Sequence, residues 1–450
     1  MNHAVAAAEA ALALMFTEDL QRTRGPAQPG GSGHTIRQSQ TMTSLTEPLH
    51  TQHPTMTRAM VALFAFCCGA IVANIYYAQP IIELIAPDIG LSAHGASLIV
   101  SLTQIGYAAG IFFLVPLADL LENRKLMLAT TLLATISLIG AALSNQPSVF
   151  LVVSLLIGFS SVSVQMLIPL AAHMASEASR GRVVGSIMGG LLVGILLARP
   201  LASVIADHFG WRAVFYVAAV VMVAITAVMA RTIPYRQPDH SASYGQLLAS
   251  LGTLVRRHAL LRQRSFYQAM MFATFSLFWT AVPLELSRVH GLSQSQIAVF
   301  ALVGAIGAIA APIAGRLADA GHTRRASLVA MVLAPLCFTT SLVLPGYSVI
   351  ALALTGVLLD FAVQMNMVLG QRIIYSLDAT SRARLNALYV TSIFVGGAVG
   401  SAIASSLYEA GGWGLVVKVG GRFRCWRWRR LCFTQEAAAN PVGAGLPASF

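Results

Sequence analysis

Charge is scarce in this sequence. Asp, Glu, Lys and Arg make up only 10% of its 450 residues, against about 25% in an ordinary soluble domain, while 56% are hydrophobic and the mean hydropathy is +0.71. That shortage excludes a soluble multidomain protein, whose surface would need far more polar side chains. Acid is the scarcer sign, with 17 Asp and Glu against 29 Lys and Arg. The five cysteines, Cys67, Cys68, Cys337, Cys425 and Cys432, have neither disulfide-framework nor zinc-site spacing and are expected as buried thiols. No GxxxxGK[ST] loop occurs, which argues against ATP-driven pumping by this chain. No metal-ligand cluster or nucleophile constellation occurs either, so neither an enzyme nor a metal or other cofactor is expected.

What is present is apolar sequence in long runs. Residues 1–56 are Ala-rich, then rich in Gly, Ser, Thr, Pro and Gln, and are expected to be a disordered tail. From Thr57 onward eleven runs long enough to span a bilayer as helices occupy about 59–82, 95–117, 126–144, 148–172, 183–206, 212–230, 266–286, 295–317, 327–345, 347–371 and 385–407. With the amino terminus in the cytoplasm, seventeen Lys and Arg at loops and helix ends, Arg264 among them, fall on the cytoplasmic side, and only Arg212 and Arg288 on the other. This positive-inside asymmetry accounts for most of the net charge of +12 without a nucleic-acid partner.

The two halves repeat. LAD before a basic pair recurs at Asp119 and Asp319, VQM at Val164 and Val363, SRGR at Ser179 answers SRAR at Ser381, and GW at Gly210 recurs at Gly412. Four matches in order at nearly constant offset indicate a tandem six-helix unit. The fold expected is an all-α membrane protein of two six-helix bundles, 57–231 and 266–413, joined by a cytoplasmic linker, 232–265. The last helix is disrupted: where the first half continues as RAVFYVAAVVMVAITAVMA, the second reads GLVVKVGGRFRCWRWRRLC. Residues 414–450 therefore read as an aberrant basic tail, from a shifted frame or truncation, because each Arg in hydrocarbon costs about 2.5–3.5 kcal/mol. The rival is a genuine basic, aromatic anchor for anionic lipid or nucleic acid.

At these residues the chain resembles the major facilitator superfamily, in particular its bacterial twelve-span proton-coupled exporters of drugs and metabolites. The loop after the second span matches the family signature at Leu117, Ala118, Asp119, Arg124 and Lys125 and departs from it at Val115 and Glu122. The second copy matches at Gly315, Leu317, Ala318, Asp319, Arg324 and Arg325. NIYYAQP in the first span and GWRAVF entering the sixth are also similar. The resemblance implies a multi-pass protein of the bacterial inner membrane, an expected monomer, with an inner gate at Asp119, Arg124, Lys125, Asp319, Arg324 and Arg325. For Lys125 and Arg325 simple membrane anchoring is the alternative.

Intramembrane ionisable groups are functional candidates. Arg199 in the fifth span is a candidate anion site or counter-charge, and Asp360 in the tenth a candidate proton carrier; a structural ion pair between them is the competing reading. Asn74, Tyr77, Gln79, Gln165, Gln364 and Asn366 are candidate cavity groups, equally able to bond neighbouring helices, as are Tyr76 and the rest of that run. Glu83 and Glu285 are expected at solvated mouths. Glycine pairs Gly106/Gly110, Gly185/Gly189, Gly190/Gly194 and Gly396/Gly400 are expected to pack helices closely. The functional expectation is proton-coupled efflux of a small amphipathic or anionic molecule by alternating access. Pro200 is followed by Leu201, Ala202 and Ser203 rather than the glycines of the antiporter signature, which keeps proton-symport uptake open. An inactive, damaged transporter is the third reading.

Overall fold

The computed structural model describes residues 56–177, 179–235, 243–307, 309–343, 348–378 and 381–422. Residues 1–55 of the expected disordered tail, and Arg424, Arg427, Arg429 and Arg430 of the basic tail, lie outside the described residues.

The described chain is helical throughout. In the first half the elements are α1 (Arg58–Ala73), a 3-10 turn (Gln79–Ile81), α2 (Ile82–Asp88), α3 (Leu98–Leu114), α4 (Asn123–Leu143), α5 (Pro147–Ser160), α6 (Ser163–Met174), α7 (Arg180–Phe209) and α8 (Trp211–Thr232). A linker helix, α9 (Tyr244–Arg257), leads to α10 (Ala259–Arg288), α11 (Gln294–Ala301), α12 (Gly304–Gly307), α13 (Ala310–Asp319), α14 (Thr323–Val343), α15 (Val349–Tyr375), α16 (Arg382–Ala402) and α17 (Ala404–Arg422). Among the described residues nine helical stretches are long and apolar enough to cross a membrane, running together α5 with α6 and α11 with α12 and α13. The first expected span is instead interrupted: α1 has 16 residues and ends at Ala73. The ninth, α14, has 21 residues, about 31 Å at 1.5 Å per residue.

Side chains bury inward although lipid would surround the bundle, so packing rather than amphipathicity orders the helices. Small residues let backbones approach. A Cβ on Gly106 would meet the Leu155 carbonyl and one on Gly158 the Thr103 carbonyl, while Gly190 and Gly194 seat against Ala65 and Gly69, and Gly396 and Gly400 against Ala269 and Ala273. Gly185 and Gly189 differ from the expectation: nothing lies within 4 Å of a Cβ on either.

The repeat is visible at its corners. Gly210 and Gly412 both take positive φ, +81° and +58°, a conformation that favours glycine, and each turns the chain into a buried Trp, Trp211 at 6% and Trp413 at 2% exposure. After Gly412 the chain does not leave the bundle at 414. It continues helical to Arg422, with Trp413 against Phe278 (ring centroids 5.7 Å), Val416 and Val417 buried and Gly420 beside Phe338. The stretch from Trp413 rises about 15 Å, half of a bilayer core of roughly 30 Å.

A candidate transport site between the two halves

The interruption of the first span has a local cause. Pro80 has no N–H and disfavours the α conformation at the residue before it, and from Ala73 to Ile81 the chain tightens into i→i−3 bonds: Tyr76 to Ala73, Gln79 to Tyr76 and Ile81 to Ala78. Discontinuous helices at membrane depth occur where backbone lines a site or is buried in protein. This one carries Asn74, Tyr76, Tyr77 and Gln79.

Gln79, 1% exposed, is the hub. Its Nε2 donates to Thr280 Oγ1 of α10 at 3.1 Å, and its Oε1 accepts from Arg199 Nε of α7 at 2.8 Å. Gln79 and Thr280 are 201 positions apart, within the spread of the repeat's offsets, so corresponding stretches of the two halves meet at this bond. Arg199 is 6% exposed, with its Cζ 5.0 Å from the Tyr76 ring centroid, 5.5 Å from that of Phe275 and 4.8 Å from that of Trp279. Trp279 Nε1 donates to Asp360 Oδ1 of α15 at 2.8 Å. Asp360 and Arg199 form no direct ion pair; the indole stands between them. Arg199 Nη2 and Asn74 Nδ2 are buried without a hydrogen-bond partner.

The arrangement holds a cation in an aromatic cage with an N–H to spare, and places a buried carboxyl one ring away. A ligand acceptor reaching Nη2 would satisfy it. Pro283, one turn beyond Trp279 in α10, cannot bond the Trp279 carbonyl, which leaves that carbonyl without its helical donor.

The sequence profile of the Major Facilitator Superfamily matches residues 61–373 and 264–421. This chain belongs to the Major Facilitator Superfamily. It is 38% identical over 401 residues to YgaY, an uncharacterized transporter of Escherichia coli O157:H7, covering 88% of this chain and 100% of that one. It is 33% identical over 378 residues to the probable transporter SCO4007 of Streptomyces coelicolor, covering 82% and 86%. Among solved structures it resembles the nucleoside transporter NupG (TM-score 0.65, 12% identity, 84% of this chain and 100% of that) and a D-xylose-proton symporter (TM-score 0.62, 14% identity, 82% and 97%). It is thus a multi-pass membrane transporter of this superfamily.

In this superfamily member the other cavity candidates are partly dispersed. Gln165 donates to Tyr107 Oη at 3.1 Å, while Gln364 and Tyr77 are half-buried. Asn366 belongs to a second cluster, inside the second half, where its Nδ2 donates to Gln268 Oε1 at 2.7 Å and its Oδ1 accepts from Ser327 Oγ at 2.8 Å. Ser327 Oγ in turn accepts from Arg264 Nη1 at 2.8 Å. Arg264 is only 4% exposed, not the loop or helix-end cation the charge pattern suggested, because α10 begins at Ala259 and carries it into the bundle.

The gate candidates are tied largely within their own halves. Arg124 Nη2 donates to the Ala230 carbonyl, and Lys125 pairs with Glu122 at 3.0 Å. Asp319 pairs with Arg372 at 2.6 Å, and Arg372 also donates to the Gly315 carbonyl at 3.1 Å. Asp119 and Arg324 are also engaged in polar interactions.

Side-chain bonds between halves cluster at the opposite end. Arg288 pairs across the halves with Glu83 of α2 and, within the second half, with Glu409 at 2.6 Å. Asp207 accepts from the Ser295 amide at 3.2 Å and from its hydroxyl. Gln104 donates to Ser276 at 2.7 Å and Ser101 to the Ala398 carbonyl at 2.8 Å. Glu285 is not at a solvated mouth: it is 3% exposed and accepts from Tyr408 Oη at 2.8 Å, packed under the Arg288 network. On the same end Asp88 accepts from Trp211 at 3.0 Å and from Arg212. The hydrogen bonds from Arg212 and then Trp211 hold the Asp88 carboxyl below the usual range.

Sequence reasoning missed Trp279, Thr280, Phe275, Gln268 and Tyr408. The one signal available was the repeat: Thr280 lies in the stretch that corresponds to Gln79.

Proposed function

We propose that this chain is a proton-coupled secondary transporter that exports a small anion by alternating access, with Arg199 as the anion site and Asp360 as the proton carrier. The observation that carries the reading is the unpartnered, buried Nη2 of Arg199 at the bond joining the halves, with Asp360 held on the far side of Trp279. Tyr76, Phe275 and Trp279 favour a substrate with a planar apolar body. Asn74 supplies a second spare donor.

The clustering of inter-half bonds near Arg288 supports a state closed at that end. Closing the opposite end would bring Asp119, Arg124, Lys125, Asp319, Arg324 and Arg325 into gating contacts and would occupy the open space beside Gly185 and Gly189. The amino terminus in the cytoplasm, an inner-membrane location and a monomer complete the reading.

Everted membrane vesicles, respiring and acid inside, test direction. Addition of impermeant benzenesulfonate is expected to recover quenched acridine-dye fluorescence in vesicles with the protein and not in empty ones. Uptake by symport is the second reading, favoured by Leu201, Ala202 and Ser203 after Pro200; it predicts no recovery, with label accumulating in right-side-out vesicles instead.

A further inference from the structure

Among the described residues Arg264 is the second buried guanidinium, and there no carboxyl pairs with it. The groups that act on it electrostatically are the phenols of Tyr389 and Tyr267. Its Nη1 starts a one-way chain of donors. Arg264 donates to Ser327, Ser327 to Asn366, Asn366 to Gln268, and Gln268 Nε2 to the Val363 carbonyl at 3.3 Å. This chain fixes the side chain but supplies no negative charge.

Two polar atoms at this place have no partner: Arg264 Nε and Tyr389 Oη. Tyr389 is 0% exposed, and its hydroxyl is pressed against Gly370, where a Cβ would collide with it. The two helices meet here, Ser392 Oγ donating to the Ser265 carbonyl at 3.4 Å, next to Arg264 in sequence and one turn beyond Tyr389. A buried cation without a counter-charge is costly, and an N–H edge together with a phenol O–H is a donor pattern that takes a carboxylate, one oxygen on each. Along α10, Arg264 lies about 22 Å from Trp279, toward the Asp319 end.

We propose that Arg264 and Tyr389 form a second anion station, which binds a carboxylate on the Asp319 side of the Arg199 centre. The station shares with the functional reading the premise of an anionic substrate, yet it is a separate site on one half.

The experiment uses full-length protein in nanodiscs of zwitterionic lipid, with acetate as the probe and chloride as the ionic-strength control, read by the unfolding midpoint. Wild type is expected to be stabilised by acetate saturably. Arg199→Met is expected to keep an acetate response, whereas Arg264→Gln and Tyr389→Phe each weaken it by about tenfold or more. Gly370→Ala, which displaces the Tyr389 hydroxyl without touching Arg264, is expected to act in the same direction. If Arg264→Gln fails to fold, Tyr389→Phe and Gly370→Ala carry the comparison. An undiminished response in these two variants, or a response abolished by Arg199→Met alone, overturns the station. In the latter case the functional reading survives. No response to acetate in any variant also overturns the station, and benzenesulfonate flux then decides the functional reading independently.

Discussion

Replacing Arg199 by Met separates a transport site from a structural ion. The guanidinium gains from three aromatic rings, about 2 kcal/mol or more for a desolvated cation, and from its bond to Gln79, about 1.5–3 kcal/mol for a charged donor. Against that stands the desolvation of the charge, several kcal/mol. The terms nearly cancel, and Met has similar length and fills the cage, so the substitution is expected to change folding stability by less than about 2 kcal/mol. Gln79 keeps its bond to Thr280 and Asp360 keeps Trp279. Binding behaves differently. An anion that pairs with Arg199 in this buried setting loses about 3–5 kcal/mol when its partner is removed, two to three and a half powers of ten in affinity. The unfolding midpoint of the nanodisc protein and benzenesulfonate binding by intrinsic Trp fluorescence measure the two quantities. A large drop in midpoint with binding retained would refute the reasoning.

Arg288→Ala removes both ion pairs that tie α10 to Glu83 and Glu409. All three side chains are partly exposed, at 40%, 18% and 21%, so each pair is worth about 0.5 kcal/mol. Only the Glu83 pair crosses the halves, so a Thr280→Cys reporter, with Cys425 and Cys432 replaced by Ser, should then label about twice as fast from the Arg288 end; an unchanged rate would remove the network from the gate. Gly189→Leu has room in this state and should leave the unfolding midpoint unchanged while lowering turnover about tenfold or more, because the side chain obstructs closure of the Asp319 end. The Asp88 carboxyl is held down in the folded protein, so its stabilising contribution is present above the ordinary carboxylate pKa and lost as pH falls through the lowered one. Asp88→Asn should therefore lower stability at neutral pH, change little below the lowered pKa, and so flatten the acid limb below about pH 4, as melting curves from pH 3 to 7 will report.

Much of the fold was legible because bilayer physics writes long apolar runs and charge asymmetry into sequence, and because GW and LAD recur at one spacing. Helix breaks were less legible. NIYYAQP carries a proline, but an apolar run alone does not tell a continuous helix from one that tightens at Tyr76. Arg199, Asp360 and Gln79 could be found as rare polar groups in apolar runs, and they do converge. Trp279 could not, since an indole within an aromatic run looks like core until its N–H is seen on Asp360. Arg264 was misplaced because it precedes the apolar part of its helix, and only packing against α14, α15 and α16 buries it. The tail divided the same way: Val416 and Val417 pack as a helix would, and the first Arg of the cluster is where the described helix ends.

The central claim is that Asp360 couples protons to movement of the substrate bound at Arg199. Asn at 360 keeps an acceptor for Trp279 and cannot carry a proton. In vesicles containing Asp360→Asn, exchange of labelled for unlabelled benzenesulfonate should persist near the wild-type rate while accumulation driven by a pH gradient disappears. Gradient-driven accumulation at the wild-type level, or equal loss of both activities, would contradict the account.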